Sequence, residues 1–196
     1  MAKEIINIGT TANDGTGDPL RNAMTKVNDN FTELYNVAGW GNYADSEAVT
    51  ATQTITTTPS ILLIDGLGAS SESGYLPREI RGVSELWDGV DSITPVNIGD
   101  AYDIRFTLEI TAKTSNPTEI EAVLDIGGAS GITIEVARHQ IPVLTTPTFT
   151  ITGAIPIFTM QDFITNGGRL FLATDAGSLT IASRAIFIKR DFSGLL

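Results

Sequence analysis

Cysteine is absent from the 196-residue chain, which excludes disulfides, thiolate metal sites and cysteine nucleophiles. A single histidine, His139, excludes any centre built on two imidazoles. Basic residues are few: 12 Lys and Arg stand against 23 Asp and Glu, a net charge of −11. A nucleic-acid partner would call for a basic stripe to displace condensed counterions, so none is expected. Long apolar runs are missing too. The cleanest, Ile61 to Ile64, is far short of the roughly 18 residues of a membrane span. Glu4 lies where a signal peptide would carry its apolar stretch, so neither a signal peptide nor membrane insertion is expected.

What is present points to a packed protein rich in strands. The chain is 42% apolar and 18% charged, with a mean hydropathy of +0.12, which argues against intrinsic disorder. Thr (26), Ile (23) and Val (9) make up about 30% of it. These β-branched residues are stiff at χ1 and pack well on pleated surfaces. Nineteen Gly and eight Pro supply turns. The fold is expected to be mainly β.

One segment departs from this pattern. Asn13, Asp14, Gly15, Thr16, Gly17 and Asp18 form a dense turn signal, followed by Pro19 and Arg21. Asp18 is placed to cap a helix, Pro19 suits its first position, and Gly39 suits a left-handed end, so a helix is expected from about Pro19 to Ala38. Its apolar residues Leu20, Met24, Val27, Phe31, Leu34 and Ala38 recur in steps of four and three. That is the 3.5-residue repeat of a coiled-coil seam. The alternative is an amphipathic helix packed on its own β domain. Alone, so short a helix is marginal, so self-association would need a larger domain to hold the copies together.

The stretch Ile8 to Tyr35, IGTTANDGTGDPLRNAMTKVNDNFTELY, resembles a segment near the N-termini of tailed-bacteriophage fibre, baseplate and neck appendage proteins. The shared pattern falls on Gly9, Thr10, Ala12 to Asp18, Leu20, Arg21, Asn28, Asn30, Phe31 and Glu33 to Tyr35. Met24 stands where Phe is common. The resemblance covers about 28 residues. It implies a trimeric virion component that uses this end, through Asn13 to Pro19 and Arg21, to attach or to trimerise.

Downstream, Tyr43 to Pro59 reads as a polar connector or an edge strand. Strands are expected at about Ser60–Ile64, Val83–Trp87, Tyr102–Thr114, Glu119–Ile126, Gly131–Pro142, Thr148–Thr152, Ala154–Thr159, Arg169–Thr174, Leu179–Ala182 and Ala185–Arg190. Many short alternating strands without helices between them indicate a β-sandwich, and the long connection Met160–Gly168 favours a jelly roll. Ile155–Phe158 and Ala185–Ile188 are apolar on nearly every position, as a subunit interface would require.

Residues that might carry chemistry have simpler readings. His139 lacks a nucleophile elbow elsewhere in the chain, and suits a surface or interface. Asp14 and Asp18 lack the ligand order of a calcium loop and are explained by turn formation and capping. Gly127, Gly128 and Gly131 lie between strands, where a β-turn suits them better than a phosphate loop. Glu119 and Glu121 share one face of a strand, as on any solvated face. Trp40 is expected to pack the joint after the helix, leaving Tyr75 or Trp87 as aromatics able to stack on sugar rings. The first hundred residues hold 5 basic and 14 acidic groups, a balance suited to a solvated surface or to docking on a basic one.

The expected organisation is an attachment and trimerisation module at 1–40, a connector at 41–60 and a jelly-roll-like β head at 61–196. The expected function is a non-enzymatic homotrimeric virion appendage, a short fibre or an adaptor. The alternatives are a capsid decoration protein and a module binding host surface glycans. The oligomerisation residues are Leu20, Met24, Val27, Phe31 and Leu34. The partners are further copies of the chain, other virion proteins of the tail, neck or capsid, and in the last alternative a glycan. No catalytic, cofactor or metal residue is expected.

Overall fold

The computed structural model describes the chain apart from residues 1–3, 12–13, 37, 47–51, 67, 69–70, 78, 83, 129–130, 142–147 and 195–196. Its elements are α1 (Leu20–Asn36), β1 (Gly39–Ser46), β2 (Gln53–Thr56), β3 (Ser60–Ile61), β4 (Ala101–Thr114), β5 (Glu119–Asp125), β6 (Thr133–Gln140), β7 (Phe149–Phe158), α2 (Gln161–Asn166), β8 (Arg169–Thr174) and β9 (Ser178–Phe192).

The strands form two antiparallel sheets. Sheet A runs β1-β9-β4-β7, with β2 also on β9, and sheet B runs β3-β8-β5-β6. The pairs nest: β5 with β6, β4 with β7, β3 with β8, β2 with β9. This is a long hairpin folded across two sheets, the wrapping of a jelly roll. Alternation along each strand explains the layering. Ile104, Phe106, Leu108 and Ile110 of β4 meet Ile120, Ala122 and Leu124 of β5 in one core, joined by Leu172 of β8 and by Ile186 and Ile188 of β9.

Within Tyr43–Pro59 the described residues of β1 and β2 pair along β9 in sheet A, so of the two readings the edge strand describes them. The head therefore begins before residue 61. Thr148–Thr152 and Ala154–Thr159 are one strand. Gly153, which looked like a break, lies opposite Phe106, and a Cβ there would fall 2.2 Å from the Phe106 ring. Glycine marks a close approach here, not an end.

The segments Leu179–Ala182 and Ala185–Arg190 are also one strand. A register shift where β4 residues Glu109 and Ile110 pair with Ser183 and Ile181 changes which residues face inward. Before it Leu179 and Ile181 are buried; after it Arg184, Ile186, Ile188 and Arg190 are. The polar break expected near Ser183 is thus a buried arginine, Arg184, whose Nη2 lies 3.2 Å from Asp45 Oδ2 on β1.

Between β3 and β4 the chain runs irregularly yet buries Leu62, Ile64, Leu76, Leu86, Trp87 and Ile93. Leu86 N–H donates to the Tyr43 hydroxyl at 3.2 Å, and Trp87 Nε1 donates to the Ile64 carbonyl at 3.1 Å. Burial pushes the Tyr43 phenol above its ordinary pKa. The strand expected at Val83–Trp87 reduces to a bridge from Trp87 to Ile93, with Val83 outside the described residues. Met160–Gly168 contains α2, which anchors itself through fully buried Phe163. Among the described residues, no helix is long and apolar enough to cross a membrane.

Candidate functional site

The N-terminal module is built on carboxylate and amide side chains that fold the backbone onto itself. Asp14 is the hub of the turn. Its Oδ2 accepts from Thr10 N–H (2.7 Å), Thr10 Oγ1 (2.7 Å) and Thr11 N–H (2.8 Å), and its Oδ1 from Thr16 N–H (2.9 Å). These donors, the Thr16 and Thr11 N–H groups foremost, hold its carboxyl well below the ordinary carboxylate range. The oxygens face N–H and O–H donors, which is a turn-stabilising arrangement. Gly15 supplies a positive φ of 69° beside it. Asn13 lies outside the described residues.

The loop then closes on the segment before it. Asn7 N–H donates to Asp18 Oδ2 (2.8 Å), Asp18 N–H donates to the Asn7 carbonyl (2.7 Å), and Asn7 Nδ2 donates to the Thr16 carbonyl (2.8 Å). Gly17 lies under this crossing, where a Cβ would come 3.0 Å from the Asn7 carbonyl oxygen and 3.1 Å from Gly9 N.

The same segment continues as a strap along α1. Lys26 Nζ donates to the Ile5 carbonyl and to Asp18 Oδ2, both at 2.9 Å, and Asn30 engages the Glu4 backbone. The Lys26 hydrogen bond is the main reason that Asp18 is also held below its usual pKa. Lys26 and Asn30, four residues apart, share one side of α1, and Lys26 reaches back from it to Asp18 just before the helix. That side is roughly 100–140° round the helix from the Leu20/Met24/Phe31 line, at 100° per residue.

Asn7, Lys26 and Asn30 are functional residues that the sequence pattern alone does not single out. Lys26 and Asn30 carry a signal in their four-residue spacing from Asp18, and Asn7, eleven residues before it, carries none. The capping role expected of Asp18 is corrected: its carboxylate is taken by Asn7 and Lys26. Pro19 holds the cap position instead, its carbonyl accepting from Ala23 N–H at 3.0 Å. Gly39, expected as a left-handed end, is extended at the start of β1 opposite Arg190, and Pro77 packs where its Cβ would be. Arg21 is exposed and its carbonyl accepts from Thr25 Oγ1 (3.0 Å).

Of the seam residues, Leu20 is 79% exposed and Phe31 54%, Met24 is exposed, and Val27 is half-buried. The Leu34 side chain lies outside the described set. No described side chain of α1 belongs to the hydrophobic core. The strap adds exposed Ile5 and Ile8 nearby.

The remaining candidates sit in the head. Trp87 is 3% exposed and part of the core, so it cannot meet a sugar. Tyr75 is exposed and stacks on Trp40 at 4.9 Å, with Phe187 at 5.5 Å from Trp40. Trp40 therefore packs on the outer side of sheet A. Glu119 and Glu121 are both bridged by Arg138 across β5 and β6. His139 is half-buried opposite Ile120.

Comparison with known proteins agrees with this architecture. The Baseplate wedge protein gp10 of Enterobacteria phage T4 is 52% identical over 40 residues, which is 20% of this chain but only 7% of that protein. Among solved structures, the PRD1 vertex protein P5 superposes with a TM-score of 0.51 over 79% of this chain and 73% of that one, at 11% identity. At that identity the likeness speaks for the fold alone. The family model described as "Bacteriophage T4 gp9/10-like protein, N-terminal" matches residues 3–146. The chain belongs to the bacteriophage T4 gp9/10-like family and is a phage structural protein.

Proposed function

We propose that the chain is a non-enzymatic component of the virion, an appendage such as a short fibre or an adaptor. Three copies join through α1, and the jelly roll forms the head. The observation that carries this reading is the exposure of Leu20, Met24 and Phe31 on a 3.5-residue repeat, on a helix that contributes nothing described to the core. A solvated monomer has no use for such a row. The turn and strap brace the helix from one flank, and Leu20, Met24 and Phe31 stay exposed. The braced end is then a rigid plug for a second virion protein. Antibody labelling of purified particles, read by electron microscopy, tests the placement. Label at symmetric tail, baseplate or neck sites is expected, and particles that lack the chain altogether contradict it.

A glycan-binding role has one observation in its favour, the exposed Tyr75 ring backed by Trp40. It predicts binding to host surface polysaccharide that Tyr75→Ala abolishes, and unchanged binding would remove it.

A further inference from the structure

At one end of sheet A, large apolar side chains stand in solvent. Phe158 of β7 and Phe192 of β9 flank Ala101 of β4 in register, 63% and 47% exposed. Ile98 and Met160, just outside the strands, are exposed beside them. Gly99 N–H donates to the Thr159 carbonyl at 2.9 Å and Thr159 N–H to the Asp100 carbonyl at 2.8 Å, so one backbone pairing carries both neighbours. Exposed apolar patches of this kind mark interaction sites.

The base beneath is stiff. Asp100 and Arg190 are fully buried; Tyr102 Oη donates to Asp100 Oδ2 at 2.8 Å, and Gly194 N–H to Asp100 Oδ1 at 2.7 Å. Arg190 also reaches Glu79. The nearby surface charges are satisfied within the chain, Lys189 by Asp191 and Arg105 by Asp103. An overall charge of −11 makes like copies repel over most of their surface, so an apolar area bordered by neutralised pairs is where two copies can meet.

Chain connectivity places the patch beside the helix. β1 starts at Gly39, shortly after α1 ends at Asn36, and Gly39 lies opposite Arg190, which is opposite Tyr102, the residue after Ala101. At about 3.8 Å per residue and 4.8 Å per strand, the patch lies within roughly 10–15 Å of where the helix hands over to the sheet. Helices drawn together at their seams draw these sheet ends together.

We infer that Ile98, Phe158, Met160 and Phe192 form the contact between the heads of neighbouring copies of this chain. The inference rests on the trimer reading above, and supplies what a 17-residue helix lacks, a second contact to hold the copies.

The absence of native cysteine gives a clean test. Phe158→Cys and Phe192→Cys are made singly in the full chain, with Thr56→Cys on β2, opposite Ser178 at the far end of β9, as control, and each is exposed to mild oxidant. Disulfide-linked dimers are expected from the two patch variants roughly a hundredfold faster than from the control, because within one assembly only thiols at the head contact can meet, while those at position 56 are held apart. If the wild type is a trimer by light scattering and the patch thiols link no faster than Thr56→Cys, the head contact is wrong while the trimer stands. A monomeric wild type overturns both.

Discussion

Asn30 reads the backbone of Glu4 from both sides: its Oδ1 accepts from the Glu4 N–H at 2.8 Å, and its Nδ2 donates to the Glu4 carbonyl at 2.9 Å. One amide on the helix thus acts as a short strand partner for the strap, four residues beyond Lys26, which holds Ile5. Replacing Asn30 with Leu removes both bonds, each worth about 1 kcal/mol. The strap should detach while the head is unaffected. Amide exchange at Glu4 to Asn7 should rise with the thermal midpoint of the head unchanged; unaltered exchange would count against the strap.

The Asp14 turn should depend on acid. Its folded carboxyl titrates below the ordinary range, so the turn is favoured wherever Asp14 is ionised in both states, above the unfolded value of about 3.9. That contribution is lost as pH falls below this value toward the depressed folded one. Amide shifts of Thr10, Thr11 and Thr16 should hold steady at pH 5 and move only below about 4. Asp14→Asn should abolish the titration. A carboxyl midpoint for Asp14 at or above the ordinary value contradicts the hub.

Gly153 and Phe106 form a tight pair across β7 and β4. A methyl at Gly153 meets the ring at 2.2 Å, so Gly153→Ala should cost about 1–3 kcal/mol by overpacking. On a Phe106→Leu background the same change should cost much less. Denaturant melts of the four chains measure this coupling, and equal costs on both backgrounds refute it.

Asp45 and Arg184 are both buried. Asp45→Ala leaves a guanidinium without its carboxylate and should cost about 3–5 kcal/mol. The double replacement Asp45→Leu, Arg184→Met should recover most of that loss. Thermal melts decide, and a double variant no better than the single one contradicts the pair.

Period-two alternation made β4 and β5 legible nearly to the residue, because their inner and outer faces differ in polarity. It failed where another contact set the face. Gly153 looked like a stop because sequence does not show the Phe106 ring above it. Ser183 and Arg184 looked like a polar gap because the register shift and the Asp45 partner are both nonlocal. In the N-terminal module the turn was legible from its Gly and Asp content and the helix from its periodicity. The strap was not: Asn7, Lys26 and Asn30 are ordinary polar residues until the folded chain brings Glu4 and Ile5 against the helix. Trp87 showed the opposite error, an aromatic assigned to a loop surface that the long irregular segment buries.

The trimer through α1 is tested most directly by the mass in solution of the full-length wild type beside the Phe31→Asp, Leu34→Asp double variant, measured by light scattering over a range of concentrations. A wild-type mass near three times 20.8 kDa, falling toward the monomer at low concentration in the double variant while its head still melts like the wild type, is the expected result. A wild type that remains monomeric, or a double variant that associates as tightly as the wild type, contradicts the coiled-coil seam.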